Sequence, residues 1–145
     1  MSLHVAADAE RIASTYLRSV PEVAALVGSR VYTEMPKRSR AWPLVRLVRV
    51  GGGQVTTPAH LDAATLQVDV WGGSKFEARQ AAATVAAAFE ALNQAAYAMH
   101  DGVVTGAAVG AFRYDLDNDF EPGRPRYLFD VTFYTHPAQP VPEIN

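Results

Sequence analysis

The chain has no cysteine, few charged residues and no long apolar run, and each shortage bears on the kind of protein that it is. Without cysteine it cannot form a disulfide framework, a thiolate metal site or a cysteine nucleophile. Charged residues make up only 19% of the 145 residues, a shortage consistent with a surface partly covered by partners. No apolar run approaches the roughly 20 residues that a membrane-spanning helix needs, so we expect no membrane partner.

The net charge and residues 1–8 give further information on the partners and the location of the protein. A net charge of −2 and a pI near 6.0 argue against a general affinity for nucleic acid or anionic membranes. Residues 1–8 lack the basic stretch and apolar core of a signal peptide, so we expect the protein to assemble in the cytoplasm. With 49% hydrophobic residues, the composition predicts an ordinary globular domain.

Residues 66–71 carry the clearest secondary-structure pattern. One face of a half-buried strand would hold Leu66, Val68 and Val70, and the other face Gln67, Asp69 and Trp71. We expect the first set to face the core and the second to face outward. An Ala-rich helical pattern follows over residues 75–96. Its smooth side, which includes Ala83 and Ala87, fits either exposed helix formers or the close approach of another subunit.

The remaining patterns complete an α-β-β-β-α-β-β order. They predict a helix over residues 5–20, a further turn over 22–27, strands over 30–34, 44–50, 103–117 and 127–136, and a polar loop over 51–64. This order indicates an α+β fold, with a mainly antiparallel sheet of about five strands and two helices packed on one face. We expect one domain over residues 1–136 and a Pro-rich, extended or disordered arm over residues 137–145.

No combination of residues indicates catalysis. The four histidines lack the spacing that places two metal ligands on one face. The acidic run after residue 114 has Phe120 and Arg126 where a calcium-binding EF-hand loop needs Gly and Glu. The triple glycine at 51–53 is not followed by the Lys and helix start of a phosphate loop, and no GxSxG motif is present. We therefore expect no enzyme activity, no cofactor and no metal.

Two segments of opposite charge are the main electrostatic feature. The basic segment holds Lys37, Arg38, Arg40, Arg46 and Arg49, and the acidic segment holds Asp115, Asp117, Asp119 and Glu121. Arg46, Arg49 and nearby Trp42 fit a small single-stranded nucleic-acid-binding module. Two other interpretations are a solvated loop, and a contact between the basic segment of one copy and the acidic segment of another. We favour protein contact, because the rest of the chain carries a compensating acidic excess.

Several short motifs, in a fixed order, resemble the tail terminator (tail completion) family of long-tailed phages. After an N-terminal helix they read LVGSRVY at 26–32, WPLV at 42–45, LQVDVW at 66–71 with the long helix directly behind it, and FEP at 120–122 before YLFDV at 127–131. The resemblance covers residues 10–135. Order and spacing carry more of it than any single motif.

The resemblance implies a structural assembly protein. Family members form a six-fold ring that caps the finished tail tube, ends its polymerisation and presents the surface on which the head docks. We therefore expect a homo-hexamer at the head-proximal end of the virion tail, in contact with the tail tube protein and a head-completion or connector protein, with DNA only as passing cargo. The charged segments are then candidate subunit contacts, and Asp69 and Trp71 a candidate channel or interface face. A head–tail connector or stopper protein is the alternative.

Overall fold

The helices begin where the sequence supplies caps. The computed structural model describes residues 5–37, 41–56 and 60–137. Helix α1 (Ala9–Ser19) starts at Asp8, whose carboxylate accepts from the Arg11 N–H at 3.2 Å, and α2 (Pro21–Val27) starts at a proline. The strand β1 (Val31–Tyr32) follows α2.

A long hairpin and a second capped helix form the middle of the chain. The hairpin consists of β2 (Leu44–Thr56) and β3 (Leu61–Trp71). Helix α3 (Lys75–Ala91) follows, and the Ser74 hydroxyl caps it by accepting from the Glu77 N–H at 3.1 Å. The remaining strands are β4 (Tyr97–Met99), β5 (Gly102–Val109), β6 (Arg113–Tyr114) and β7 (Arg126–Pro137).

All described strands belong to one sheet, in the order β1-β2-β3-β7-β5-β4, with β6 paired to β7. The β1–β2 pair is parallel and the others are antiparallel. Strand β3 lies at the centre, with Val68 opposite Leu47 on one side and opposite Phe129 on the other. The prediction that residues 66–71 form a strand is confirmed, and the structure places this strand at the centre of the sheet.

The helices cover one face of this sheet and create the core. Its fully buried members include Ile12, Leu17, Leu66, Val68, Phe89, Phe129 and Phe133. The rings of Phe89 in α3 and Phe133 in β7 meet edge to face, with centroids 5.7 Å apart. Full burial of such side chains contributes about 1.5–3 kcal/mol each. The expected inward positions of Leu66, Val68 and Val70 are confirmed.

The predicted α+β class is confirmed, but the predicted element count is wrong. The described residues form three helices and seven strands, including one parallel pair, instead of two helices and about five strands. The predicted strand 103–117 is divided into β5 and β6, and the helix predicted to reach residue 96 ends at Ala91. Both parts pair with β7, and both pairings are antiparallel.

The polar loop predicted over residues 51–64 is also wrong, because β2 and β3 continue through most of it. Gly51 lies opposite Thr65 after a register shift that follows Arg49, and Thr56 lies opposite Leu61 after a second shift that follows Gln54. Pairing with β3, itself held by β7, gives these glycines backbone hydrogen bonds that their low strand propensity does not predict. Of the three glycines at 51–53, only Gly52 needs to be glycine, since its φ is 87° and a Cβ would overlap the Ala63 carbonyl.

The predicted C-terminal arm falls mainly outside the described residues. Its first residue, Pro137, still belongs to β7 and lies opposite Gly102. The domain boundary placed at residue 136 remains a prediction.

Candidate functional site

The end of the sheet formed by Leu44, Trp71 and Arg126 is covered by residues 115–126, here called the acidic hairpin. Its two arms are joined by backbone hydrogen bonds from Asp117 N to Arg124 O at 2.8 Å and from Arg124 N to Asp117 O at 2.9 Å. The segment therefore folds back on itself and lies against the sheet face that the helices leave free.

This hairpin overturns the expectation that Asp69 and Trp71 face outward. Each is only 1% exposed. The Trp71 Nε1–H donates to Asp117 Oδ2 at 2.8 Å, and the Phe120 ring centroid lies 6.5 Å from that of Trp71. The strand alternation is correct, but a segment distant in sequence covers its second face. The assignment of both residues to a channel or interface face remains a prediction.

Asp69 is the acceptor of a small polar network on the same face. Arg46, directly opposite in β2, forms an ion pair with its Oδ2, and Gln67 Nε2 donates to its Oδ1 at 2.9 Å. The Arg46 guanidinium lies 5.2 Å from the Trp71 ring centroid, a cation–π distance. The buried Arg46 Nε has no hydrogen-bond partner among the described residues. Arg46 is thus partly satisfied within its own chain.

Arg49 has more hydrogen-bond partners than Arg46. Its Nη1 and Nη2 atoms donate to the two carboxylate oxygens of Asp62 at 2.6 and 2.8 Å, and its backbone N–H donates to Glu10 Oε2 at 2.7 Å. The hydrogen bond to Asp62, followed by the negative charges of Asp62 and Glu10, raises the pKa of Arg49 against the lowering effect of burial. Arg49 therefore fastens β2 to both β3 and α1.

Arg124 and Arg126 supply the positive charge next to the acidic hairpin's own carboxylates. Arg126 Nη2 donates to Asp115 Oδ2 at 2.8 Å, and its Nη1 lies 3.8 Å from Asp117 Oδ2. The Arg124 guanidinium lies 4.6 Å from the Trp42 ring centroid, and Trp42 meets Phe120 edge to face at 5.4 Å. Aromatic rings and guanidinium groups thus alternate across this end of the sheet.

The predicted charged residues divide into three groups. Lys37, Asp115, Asp119 and Glu121 are exposed, Arg46 and Arg49 are half-buried, and Asp117 is buried. Arg38 and Arg40 lie outside the described residues. The structure brings Arg46 together with Asp117 and Asp119 at a pocket of about 260 Å³, within a single chain. The contact between basic and acidic segments of different copies stays a prediction.

Sequence reasoning missed Arg124 and Arg126 as partners of the acidic segment. A signal was present, because Asp115 and Asp117 have the same two-residue spacing as the arginines across a turn-rich stretch. Side chains at that spacing share one face of a hairpin and meet in antiparallel pairing. Asp62 falls within the loop predicted over residues 51–64. Its role as the partner of Arg49 depends on the extension of β3 to Leu61, which the sequence did not indicate.

A second depression lies between the helices on the opposite side of the molecule. It is about 470 Å³ in volume and is lined by Tyr16, Val20, Glu22, Ala83, Thr84, Ala87, Ala88 and Ala91. The Tyr16 hydroxyl donates to the Ala88 carbonyl at 2.6 Å and joins α1 to α3, and burial raises the pKa of this phenol. The small side chains predicted on α3 therefore do line an open groove, while its use by another subunit remains a prediction.

The site offers packing and charge pairing as its chemistry. Within the part of the chain that the structure describes, no group of three or more His, Asp or Glu side chains could hold a metal ion. In the same part, no helix is long and apolar enough to span a membrane.

Comparisons with known proteins agree with this architecture. Among curated proteins, none matches the chain. A chain of the virion of a native gene transfer agent particle has the same fold, with a TM-score of 0.67 and 19% identity over 90% of this chain and 94% of that chain. Residues 14–130 match the family described as tail completion protein gp17. The resemblance found in the sequence motifs is therefore confirmed, and the chain belongs to the tail completion protein gp17 family, whose members are structural proteins of the phage tail.

Proposed function

We propose that this protein is the subunit of a ring that caps the finished phage tail tube, ends its polymerisation and provides the surface on which the head docks. The family match over residues 14–130 carries the proposal. Following the family, the ring has six copies, stands at the head-proximal end of the virion tail and is assembled in the host cytoplasm. Its partners are the tail tube protein and a head-completion or connector protein.

Termination needs a ring whose two faces differ, because one must match the tube end and the other must refuse the next tube subunit. The two ends of the sheet differ in the residues that they carry. One end holds the acidic hairpin with exposed Asp119 and Glu121, and the other holds the glycine-rich part of the β2–β3 hairpin. Strand β3 runs between them over 11 residues, or about 36 Å at about 3.3 Å per residue. These ends are our candidates for the two ring faces.

DNA is expected only to pass through the ring, and the charge pairing supports this. Arg46 and Arg49 form ion pairs with Asp69 and Asp62, so neither is a free cation for phosphate. The Trp42 ring, which a nucleic-acid-binding module would use for stacking, is already in contact with Arg124 and Phe120. These contacts favour the assembly role over the single-stranded nucleic-acid-binding alternative.

The first test examines assembly directly. Purified protein is measured by light scattering and imaged by negative stain, alone and with tail tubes from a phage that lacks the protein. Six-fold rings, free or seated on tube ends, are the expected result. A protein that stays monomeric at high concentration and leaves the tube ends bare would contradict the proposal.

The second test removes the gene from its phage. Loss of a terminator gives tails of irregular, excessive length that do not join heads. Tails of normal length that fail to join heads would instead identify a connector or stopper. Tails of normal length that join heads would exclude both roles.

A further inference from the structure

The outward face of α3 carries the most exposed large hydrophobic residue of the described part of the chain. Phe76, in the first turn of this helix, is 77% exposed. It takes no part in the hydrophobic core, and phenylalanine forms helices less readily than the alanines that fill much of α3. Phe76 therefore contributes little to folding and is available for contact with another molecule.

Two charges on α3 are placed against the dipole of their own helix. Lys75 is the first residue of α3, Glu90 lies in its last turn, and both are exposed. A helix is stabilised by acidic residues near its start and basic residues near its end, so each charge is at the less favourable end. Within the described ranges neither forms an ion pair. This arrangement becomes favourable beside a helix that runs in the opposite direction.

The other charged residues near the start of α3 have contacts within the chain. The Glu77 carboxylate accepts from the Gly73 N–H at 2.7 Å, and the Arg79 guanidinium lies 4.7 Å from the Phe112 ring centroid. The Lys75 ammonium lies over the Tyr114 ring, 4.5 Å from its centroid, so its charge has an aromatic contact but no carboxylate. Lys75 and Glu90 are thus the pair of opposite charges on α3 that lack an ionic partner among the described residues.

The depression between α3 and the first two helices has the size and polarity to receive an aromatic ring. Its volume of about 470 Å³ is within the range of pockets that hold small ligands, and most of its lining, including Val20 and Ala87, is apolar. Ala87 follows Phe76 by three helical turns, or about 16–17 Å, so both point to the same side of α3. A ring and a depression on one face of one helix cannot meet within a single chain.

We propose that two copies of this protein pair through antiparallel α3 helices, with Phe76 of each copy in the depression of the other. When a second α3 places its Phe76 over Ala87, this copy's Phe76 lies over the second copy's Ala87, so the contact is made twice. The two-fold axis passes between Gln80 and Ala83, which carry no charge. Glu90 lies one turn beyond Ala87, where the second copy's α3 begins with Lys75.

This pairing is a contact separate from the proposed ring. A two-fold contact joins the same patch of two copies, whereas a ring of six repeats a contact between two different patches around one axis. The pairing therefore describes the free subunit, and its failure and the failure of the capping role can be observed separately.

The first test measures the dissociation constant of the dimer by sedimentation equilibrium. Burial of one phenylalanine side chain corresponds to about tenfold or more in an equilibrium constant, and the dimer buries two. Phe76→Ala is therefore expected to raise the dissociation constant about a hundredfold. Val50→Ala, which shortens a side chain of β2 that is 55% exposed, is the matched control and is expected to leave the constant unchanged. An unmodified protein that stays monomeric, or equal effects of the two substitutions, would overturn the proposal.

Charge reversal tests the direction of the two helices. Lys75→Glu and Glu90→Lys each place like charges opposite one another at both ends of the contact, and each is expected to weaken the dimer about tenfold. Both reversals suit the dipole of α3, so neither is expected to destabilise the helix itself. The double variant is expected to regain the affinity of the unmodified protein. A double variant as weak as the single ones would contradict the antiparallel arrangement.

Cross-linking at the two-fold axis completes the test, since the chain has no cysteine of its own. Gln80→Cys lies beside the axis, so a short bis-maleimide is expected to join two copies of this one variant. Ala108→Cys, at an exposed position of β5, is the control and is expected to give no such product. Rings on tail tubes without the Gln80→Cys product would overturn the pairing and leave the capping role intact. The product without rings or capped tubes would keep the pairing and overturn the capping role.

Discussion

Trp71 and Asp117, 46 residues apart, form a buried hydrogen bond of 2.8 Å between the end of the central strand and the acidic hairpin. Replacing Trp71 with Phe keeps an aromatic ring but leaves the buried carboxylate without this donor. We expect Trp71→Phe to lower the free energy of unfolding by about 1–3 kcal/mol. Urea denaturation measures the change, and Trp42→Phe, which keeps the ring contact with Phe120, is the matched control. Equal losses in the two variants would show that ring size matters and the hydrogen bond does not.

The two acidic partners Asp69 and Asp115 are expected to differ in their contribution to stability. The Asp69 side chain is 1% exposed and that of Asp115 is 64% exposed. Asp69→Asn removes the charge opposite Arg46, whose own partial exposure moderates the loss to about 2 kcal/mol, between the values for buried and surface pairs. Asp115→Asn is expected to change stability by at most about 1 kcal/mol. Chemical unfolding at low and high salt checks both, and a larger loss for Asp115→Asn would contradict the burial argument.

The three consecutive glycines are expected to respond differently to alanine. Gly52→Ala places a Cβ against the Ala63 carbonyl at a positive φ, so it is expected to destabilise the protein by more than about 1 kcal/mol. Gly51→Ala and Gly53→Ala enter open space and are expected to be neutral or stabilising by up to about 1 kcal/mol. Thermal unfolding of the three variants provides the comparison, and a uniform response would be inconsistent with this hairpin geometry.

Removal of the Asn93 side chain is expected to uncover the part of β5 that β4 does not reach, where Asn93 Nδ2 donates to the Ala107 carbonyl and Asn93 Oδ1 accepts from the Ala107 N–H. Asn93→Ala loses both hydrogen bonds to Ala107 and is expected to lower stability by about 1–2 kcal/mol. The freed edge is also expected to promote association into irregular species larger than a ring. Size-exclusion chromatography with light scattering detects them, and Gln94→Ala, at the exposed neighbouring position, serves as the control. An unchanged size profile would show that Asn93 does not protect this edge.

Tyr16 gives the protein a dependence on alkaline pH. Burial raises the folded-state pKa of its phenol above the unfolded value of about 10. Its neutral form therefore contributes stability that is fully present below about pH 10 and is lost as the pH rises through the raised pKa. Tyr16→Phe loses about 0.5–1.5 kcal/mol at neutral pH with the hydrogen bond to Ala88. The difference in unfolding free energy between Tyr16→Phe and the unmodified protein is therefore expected to be smaller at about pH 11 than at about pH 8 in urea titrations. An equal difference at the two pH values would be evidence against the raised pKa.

Local patterns predicted the parts of the fold that local physics determines. The alternation of Leu66, Val68 and Val70 located the inner face of β3, and the helical pattern after Ser74 located α3. The continuation of β2 through its glycines was not predictable in this way, because backbone pairing with β3 stabilises it in spite of low strand propensity.

In the candidate site, too, local sequence predicted some features, and contacts with distant segments determined the others. The composition of the charged segments was evident, but their partners were not, because the hairpin that buries Asp69 and Trp71 comes from residues 115–126. Alternation separates the two faces of a strand without indicating which distant segment covers the second face. The motifs gave the family because their order along the chain needs no knowledge of these contacts.

Glu10 in α1 accepts the backbone N–H of Arg49 in β2. The packing of α1 therefore determines how much of the outer side of β2 has free backbone hydrogen-bonding groups. When α1 detaches, the Arg49 N–H loses its acceptor. Among the described residues, β1 pairs only with Val45 and Arg46, so the outer side of β2 is then without a partner from Leu47 onward. Partial unfolding of the first helix, well below global unfolding, thus produces a species with a long templating edge. Heat-induced aggregation of the free subunit would start from this species, and its onset would follow the stability of α1 and not that of the core.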